Sequence, residues 1–403
     1  MTRSRGPREA PAEKTSGNDR RVKFDRREFA GAVADLGVFV PIAVALIVSN
    51  GLSATAVLLP AGLLYVTAAL VYQLPVPVQP LKAFGAIAIA KGLGSDEIAA
   101  GALLMGAMFL LAGRLGILDV LARAFPRALV RGVQLTVGLL FLKISWGLVT
   151  DPPKSFAAHA LDVRWALPLG VLALVLALTL RRYAISIALV GTGVVVALVL
   201  AGGELELGPS ALTLPSLDGG VLLTALTVLV LPQAPLSFAN SCLATADAAR
   251  VYFGKEGERV RPGRLATSFG TANLLAGAVS GMPVCHGAGG MTAHYKFGAR
   301  TGAAPLVMGI ALLFLAVAVG AGLAGVLPAF PLPVLAGLLA TAGVLHITLL
   351  RDLKGARDWA LALLVGGIGF ELNLLWALAA GLAVWWIPYG YGRLQARLAE
   401  ATP

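Results

Sequence analysis

Two hydrophobic segments that begin as membrane spans and then break constrain this chain more than any other feature. Residues 77–92 read PVQPLKAFGAIAIAKG and residues 283–298 read PVCHGAGGMTAHYKFG. Both open on Pro-Val, reach an expected helix start three positions later, and close on a glycine fifteen positions after the proline. Pro283 fixes its own φ and biases Met282 toward extended backbone. The Gly/Ala run at 287–290 lets backbone approach a ligand closely. A helix starting near His286 would present free N–H groups and roughly half a positive charge to whatever lies ahead of it. That is an anion site made of backbone.

The two segments are 206 residues apart, and a second pair keeps nearly the same offset. AFPRALVRGVQLTVG starts at Ala124 and AFPLPVLAGLLATAG at Ala329, both of the form AFP-x5-G-x5-G with an offset of 205. The chain therefore reads as a duplicated unit. Interrupted hydrophobic segments at matching places in two halves point to a transporter binding site.

With 58% hydrophobic and 13% charged residues and a mean hydropathy of +0.83, the fold class is an all-α polytopic membrane protein. Residues 1–28 read as a disordered cytoplasmic tail, 29–201 as a first seven-span repeat, 219–390 as a second, and 391–403 as a short cytoplasmic tail. The expected spans are 29–49, 53–72, 76–91 (broken), 97–113, 125–149, 165–181 and 184–201. The second half gives 219–245, 265–281, 284–296 (broken), 302–324, 329–350, 357–372 and 374–390. Seven spans per unit force the second copy to enter from the opposite side, hence about 14 spans as 7+7 inverted repeats. On this topology 27 of the 32 lysines and arginines fall inside and three outside, as the positive-inside rule requires. Both termini are then cytoplasmic, in a multi-pass protein of the cytoplasmic (inner) membrane. The net charge of +11 sits in loops and the N-terminus, where it sets topology and argues against nucleic acid as a partner.

Polar residues within the apolar band are few. Lys82 lies about one turn into the first broken helix, where a buried lysine costs roughly 2.5–3.5 kcal/mol on insertion scales. It serves either as a cation for an anionic substrate, or as a snorkelling residue or partner of a carboxylate such as Asp35. Asp35 and His286 are the candidate proton carriers, while Asp35 equally suits orienting Lys82. Gln79 and Cys285 hold matching positions just before the half-helices, although Cys285 also suits simple packing. His286 is placed to cap its helix or touch substrate. The backbone of Pro80, Leu81, Gly287, Ala288 and Gly289 completes the expected site. Gln233, Ser237 and Asn240, in LPQAPLSFANS, are uncharged donors near the repeat interface, or bridges between helices. Lys143, His294 and Lys296 read as a gate contact, a helix-face residue and an interfacial anchor. Gly-x-Ser-x-Gly, His-Glu-x-x-His and Walker motifs are absent from the sequence, which argues against an enzyme. Cys285, His286 and His294 follow no recurrent zinc spacing, so no metal and no cofactor is expected. The two cysteines indicate no disulfide framework.

At ADLGVFVP, PVPVQPLKAFGAIA, LPQAPLSFANS and MPVCHGAGGMTAHYKFGARTG the sequence resembles the molybdate transporter family of plants, algae and bacteria, distant relatives of the SulP sulfate carriers. Members typically carry Pro-Val-Gln-Pro-Met-Lys, matched from Pro77 to Lys82 with Leu81 in place of Met. They also carry Pro-Cys-Cys-His-Gly-Ala-Gly-Gly, matched from Pro283 to Gly290 with Val284 in place of the first Cys. The resemblance covers nearly the whole chain from about residue 29. It implies high-affinity molybdate uptake and a SulP-like fold. In that fold a core domain holds both broken helices, and a gate domain is formed by the last three spans of each repeat. The two departures leave molybdate against sulfate open.

The function expected is secondary active import of molybdate, with tungstate and sulfate as further substrates, by proton symport and alternating access. A sulfate-selective carrier is the alternative, as is a nucleobase or ascorbate permease, which would be expected to carry acidic residues opposite its broken helices. The partners expected are the oxyanion, protons and the lipid bilayer, with a homodimer compatible with the related folds.

Overall fold

The computed structural model describes residues 24–33, 36–118, 126–180, 185–202 and 205–400, with side chains as far as Ile387. The first half runs α1 (Arg26–Ala32), α2 (Leu36–Asn50), α3 (Ala54–Tyr72), β1 (Gln79–Pro80), α4 (Lys82–Lys91), α5 (Ser95–Leu115), α6 (Arg127–Thr150), α7 (Val163–Thr179) and α8 (Ile185–Ala201). The second half begins with one long helix, α9 (Gly219–Arg259). It continues with α10 (Pro262–Ala278), β2 (Val284–Cys285), α11 (Ala288–Lys296), α12 (Ala303–Ala318), α13 (Gly320–Val326), α14 (Leu332–Thr348), α15 (Ala356–Glu371) and α16 (Leu374–Glu400). Each of the fourteen expected intervals holds a helix among the described residues. By length and apolarity alone, six of these helices can cross a hydrocarbon core, or seven when the bent pair α12–α13 is taken as one span. Val171, Leu172, Val175, Val195, Leu198 and Val199 on α7 and α8 point outward and exposed, a surface suited to lipid.

Helix packing follows the duplication. α3 packs along α12 and α5 along α10, which is the pairing produced when two equivalent halves exchange partners. Both contacts are backbone to backbone. A Cβ added at Gly62 would lie 3.1 Å from Gly309 O, and one at Gly106 would lie 2.9 Å from Gly270 O. The AFP motif resolves in the same way. Its glycines Gly138 and Gly343 meet where α6 crosses α14, each facing the carbonyl of the other. The glycines recur at fixed offsets because helices can come this close only where a side chain is missing. α6 and α14 also pack with α15 and α7 respectively, while α16 packs on α15 and α6. Asp352 accepts from Arg127 and Arg131, tying the start of α6 to the segment just after α14.

Several boundaries differ from those expected. The tail does not extend to residue 28: Asp25 caps α1 by accepting from the N–H groups of Arg27 and Glu28. Glu28 is buried and in turn accepts from the N–H groups of Arg300 and Thr301. At the other end, α16 continues through residues 391–400, which were expected as tail. The expected span 302–324 is bent by 82° between α12 and α13. There the extended segment around Gly208 takes over the helix bonds, since Gly208 N–H donates to Ala318 O and Ala321 N–H donates to Gly208 O. The helix expected at 219–245 runs on to Phe253, where Gly254 at φ 54° turns the chain into the 3-10 helix Gly254–Arg259 that closes α9. It tolerates Pro232 and Pro235 by widening into π-helical turns at Ala225–Val230 and Ser237–Ala244, the usual way a helix absorbs lost i→i−4 bonds.

Candidate anion site at two half-helix starts

The two broken segments meet. β1 and β2 pair antiparallel, with Gln79 opposite Cys285 and Pro80 opposite Val284. Leu81 N–H extends the ladder to Pro283 O at 3.2 Å. Gln79 and Cys285 are also each other's repeat counterparts, so the axis relating the halves passes between them. Antiparallel strands send α4 and α11 out in opposite directions from one crossing, and both positive helix ends lie beside it. Prolines before each strand and glycines after the second make this geometry local to the sequence.

The first turns of both helices offer N–H groups. Leu81, buried, is the N-cap of α4 and supplies no side-chain cap. Gln233 does so from α9. Its Oε1 accepts from Phe84 N–H at 3.0 Å, and its Nε2 donates to Ser237 Oγ at 2.8 Å. Of the two roles the sequence offered Gln233, substrate donor or bridge between helices, the structure shows a brace for α4, with both amide ends engaged. The amides of Lys82 and Ala83 remain in the first turn of α4. On α11, Gly287 is the N-cap without a side-chain bond, and Ala288, Gly289 and Gly290 follow. Gly289 is exposed, and a Cβ placed there would meet nothing within 4 Å.

Gln79 joins the two starts. It is 2% exposed, and its Oε1 accepts from Lys82 Nζ at 2.6 Å. The same oxygen lies so close to Gly287 that an added Cβ would collide with it, and Asn240 Nδ2 would be 3.3 Å from that Cβ. Gln79, half-buried Lys82, Gly287 and half-buried Asn240 are thus brought together from three separate stretches of chain, the two broken segments and α9. Asn240 projects here from the second π-helical turn of α9.

Two expected participants stand elsewhere. Cys285 is buried, with its Sγ 3.9 Å from Pro80 O, and it packs inside the strand pair. His286 is fully buried behind the crossing, with Nδ1 2.9 Å from Pro77 O and Nε2 2.8 Å from Ser268 Oγ. A carbonyl only accepts, so Nδ1 carries the proton in the neutral ring, and Nε2 shares the single hydroxyl hydrogen of Ser268 with Leu265 O, 3.0 Å from the same oxygen. Tyr72 OH lies 2.8 Å from the same serine oxygen. The ring edges of Tyr72 and Phe269 close around the imidazole. Both ring nitrogens are occupied, and His286 holds the crossing to α3 and α10 instead of lining its open face. Asp35 lies outside the described residues. Lys143 stands 5.6 Å over the Phe370 ring, and His294, expected on a helix face, is fully buried.

Sequence reasoning missed the second layer. Asn273 Oδ1 accepts from Val284 N–H at 2.7 Å and fixes β2, while Ser268 and Tyr72 hold His286. The signal available was the polar run TSFGTAN inside an otherwise apolar helix. Among the described residues no group of three or more His, Cys, Asp and Glu side chains comes together.

Comparison with known proteins agrees with this architecture. The family described as "Molybdate transporter of MFS superfamily" matches residues 27–141 and 225–345, more than half of the chain and including both broken segments. Molybdate transporter 1 of Arabidopsis thaliana is 27% identical over 90% of this chain and 89% of its own length. Molybdate transporter 2 of the same plant is 28% identical over 82% and 80%. Among solved structures, the transmembrane domain of the cyanobacterial bicarbonate transporter BicA superposes with a TM-score of 0.64 at 17% identity. It covers 88% of this chain and 97% of that one. The murine anion transporter Slc26a9, in its inward-facing state, gives 0.65 at 15% identity over 92% of this chain and 70% of that one. The fold is that of these anion transporters, and the matched relatives are carriers and not enzymes. On the family match, across both halves of the duplicated unit, the chain belongs to the molybdate transporter family.

Proposed function

We propose that this chain imports molybdate, and with it tungstate and sulfate, as a secondary active carrier whose substrate binds between the starts of α4 and α11. The observation that carries this reading is the Gln79 carboxamide, which touches Lys82 on one helix and Gly287 on the other. Two helix ends, each worth about 0.3–1 kcal/mol when exposed and up to about 2 kcal/mol when partly buried, then act on one tetrahedral anion together with the ammonium of Lys82. Gln79, Lys82, Asn240 and the first-turn amides of α4 and α11 form the binding face, with Leu81 and Pro80 shaping it. Cys285, His286 and Gln233 position it.

The remaining parts of the proposal follow from packing and charge. The half-helices with α3, α5, α9, α10 and α12 form a core, which moves against a gate of α6, α7, α8, α14, α15 and α16. The charge bias supports cytoplasmic termini and a place in the membrane that bounds the cell. Symported protons drive accumulation, with Asp35 as the carrier candidate left by the occupied ring of His286.

The test is calorimetric titration of the purified chain with molybdate, tungstate and sulfate, repeated on Lys82→Ala. Tight binding that falls at least ~10-fold in the variant, about 1.4 kcal/mol, is the expected result. Unchanged affinity in Lys82→Ala would remove the lysine from the site, and no binding of any of the three would end the oxyanion reading.

A further inference from the structure

His346 lies in the last turn of α14, a helix of the proposed gate, one turn after Gly343 where α14 crosses α6. Its Nδ1 is 2.8 Å from Ala342 O of its own helix. That oxygen can only accept, so Nδ1 holds the hydrogen of the neutral ring and Nε2 keeps its lone pair. The Phe141 ring of α6 meets the imidazole edge to face, with centroids 6.0 Å apart. The residue is half-buried, and Nε2 meets no hydrogen-bonding partner among the described residues. Both α2 and α6 pack on α4 as well as on α14, so they bridge the start of the first half-helix to His346. Other charges on the elements around α14 are few. α2 and α8 carry none, and α7 brings Arg164, paired with Asp162. α6 brings Lys143, exposed over Phe370, and Arg127 and Arg131, both paired with Asp352. Exposed Arg351 follows α14. Lys82 is the charged group that acts on His346.

We infer that His346 takes up a proton on Nε2 when the anion binds at Lys82 and returns it to solution when the anion leaves, as a coupling residue on the gate side of the site. The inference rests on the oxyanion and proton-symport readings above. It adds a carrier beside Asp35, as more than one proton per anion requires. The physical cause is a change of sign. With the site empty, the Lys82 ammonium and an imidazolium at His346 are like charges, and each opposes the other. A dianion held by Lys82 makes the local charge negative, and the same ring nitrogen then gains by being protonated. One bond forms, Nε2–H, with its proton taken from solvent, and the ring becomes an imidazolium. Nδ1 keeps its hydrogen on Ala342 O throughout, so the ring stays in place. Histidine is the side chain whose ordinary titration spans neutral pH. By linkage, the proton favours the anion as much as the anion favours the proton.

The experiment is calorimetric titration of the full chain in detergent with molybdate, at about pH 6 and about pH 8. Each titration is run in two buffers of different ionisation enthalpy and repeated on His346→Gln. The buffer-dependent heat counts protons taken up, a quantity that a packing role would not move. The wild type is expected to take up a fraction of a proton, at most about one, per molybdate bound. It should also bind molybdate at least ~5-fold more tightly at the lower pH. His346→Gln keeps an N–H for Ala342 O and has no titratable nitrogen. It should lose at least about half of the uptake and of the pH dependence. His346→Asn makes the same exchange with a shorter side chain and serves if the first variant does not fold. Tight molybdate binding without proton uptake in the wild type would overturn the inference while leaving the oxyanion reading intact. Equal uptake in the wild type and a folded variant would assign the proton to another group and overturn it as well. No binding of molybdate at either pH would instead remove the oxyanion reading, and the inference with it.

Discussion

Gly287 lies against the Oε1 of Gln79, the same oxygen that accepts from Lys82 at 2.6 Å. One contact therefore couples the start of α11 to the only lysine on the first turn of α4.

Two alanine substitutions two residues apart separate structure from ligand at this point. Gly287→Ala puts a Cβ into Gln79 and displaces its carboxamide from Lys82. Overpacking of this kind costs about 1–3 kcal/mol, and molybdate affinity should fall at least ~10-fold together with thermal stability. At Gly289 an added Cβ meets only open space, and alanine suits a helix better than glycine by about 0.5–1 kcal/mol. Gly289→Ala should therefore keep or raise Tm, yet weaken molybdate because that space is the ligand's. Calorimetry and thermal unfolding on the two variants check this. Full affinity in Gly289→Ala would place the anion elsewhere.

The meeting of α6 and α14 makes a prediction about stability alone. A Cβ at Gly138 would stand 2.8 Å from Gly343 O, and one at Gly343 would stand 2.7 Å from Gly138 O. Gly138→Ala and Gly343→Ala should each destabilise by about 1–3 kcal/mol. Gly147→Ala on the same helix α6, where nothing lies within 4 Å, should be neutral or slightly stabilising. Thermal unfolding in one detergent ranks the three. Equal Tm values for Gly138→Ala and Gly147→Ala would mean that the helices do not approach this closely.

How much of this was legible beforehand depends on where the determinant sits. The breaks at Pro77–Lys82 and Pro283–Gly290 are set by proline and glycine within a few residues, so the half-helices and their starts could be read directly. The glycines of the AFP motif are spaced by the need for close helix contact, so the duplication was visible as an offset. What pairs with what was not visible. Gln233 reads as a substrate donor until Phe84 N–H is found beneath it, and His286 reads as a ligand contact until Pro77 O and Ser268 occupy both its nitrogens. The bend after Ala318 depends on Gly208, more than a hundred residues away, and no local signal announces it. Asn273 and Ser268 illustrate the same limit: a polar residue in an apolar helix signals a partner without naming it.

The Tyr72–Ser268–His286 chain should act on stability more than on binding. Ser268→Ala removes the group between Tyr72 OH and His286 Nε2, both buried, and leaves each without its bond. An unsatisfied buried polar group costs about 1–3 kcal/mol, so Tm should fall clearly. Tyr72→Phe removes a single hydroxyl and should cost about 1 kcal/mol. Molybdate affinity in folded Ser268→Ala should stay within ~3-fold of wild type, measured by calorimetry beside the unfolding curves. A large loss of binding at unchanged Tm would move His286 onto the binding face.

Energetics fix the direction of the transport prediction. Bringing a dianion into a cell that is negative inside costs about 2.3 kcal/mol per charge per 100 mV, hence roughly 4.6 kcal/mol for molybdate. A carrier without coupling would run outward at low external substrate. More than two protons per molybdate reverse the sign, because net positive charge then enters and the membrane potential assists. Reconstituted vesicles with an acidic exterior should accumulate molybdate, and a negative interior should increase that accumulation. A protonophore should collapse the part driven by the pH gradient. Asp35→Asn should leave calorimetric molybdate binding measurable while removing the response to the gradient, if this aspartate carries the proton. Uptake indifferent to pH gradient and protonophore would exclude proton symport and leave anion exchange as the driving reaction.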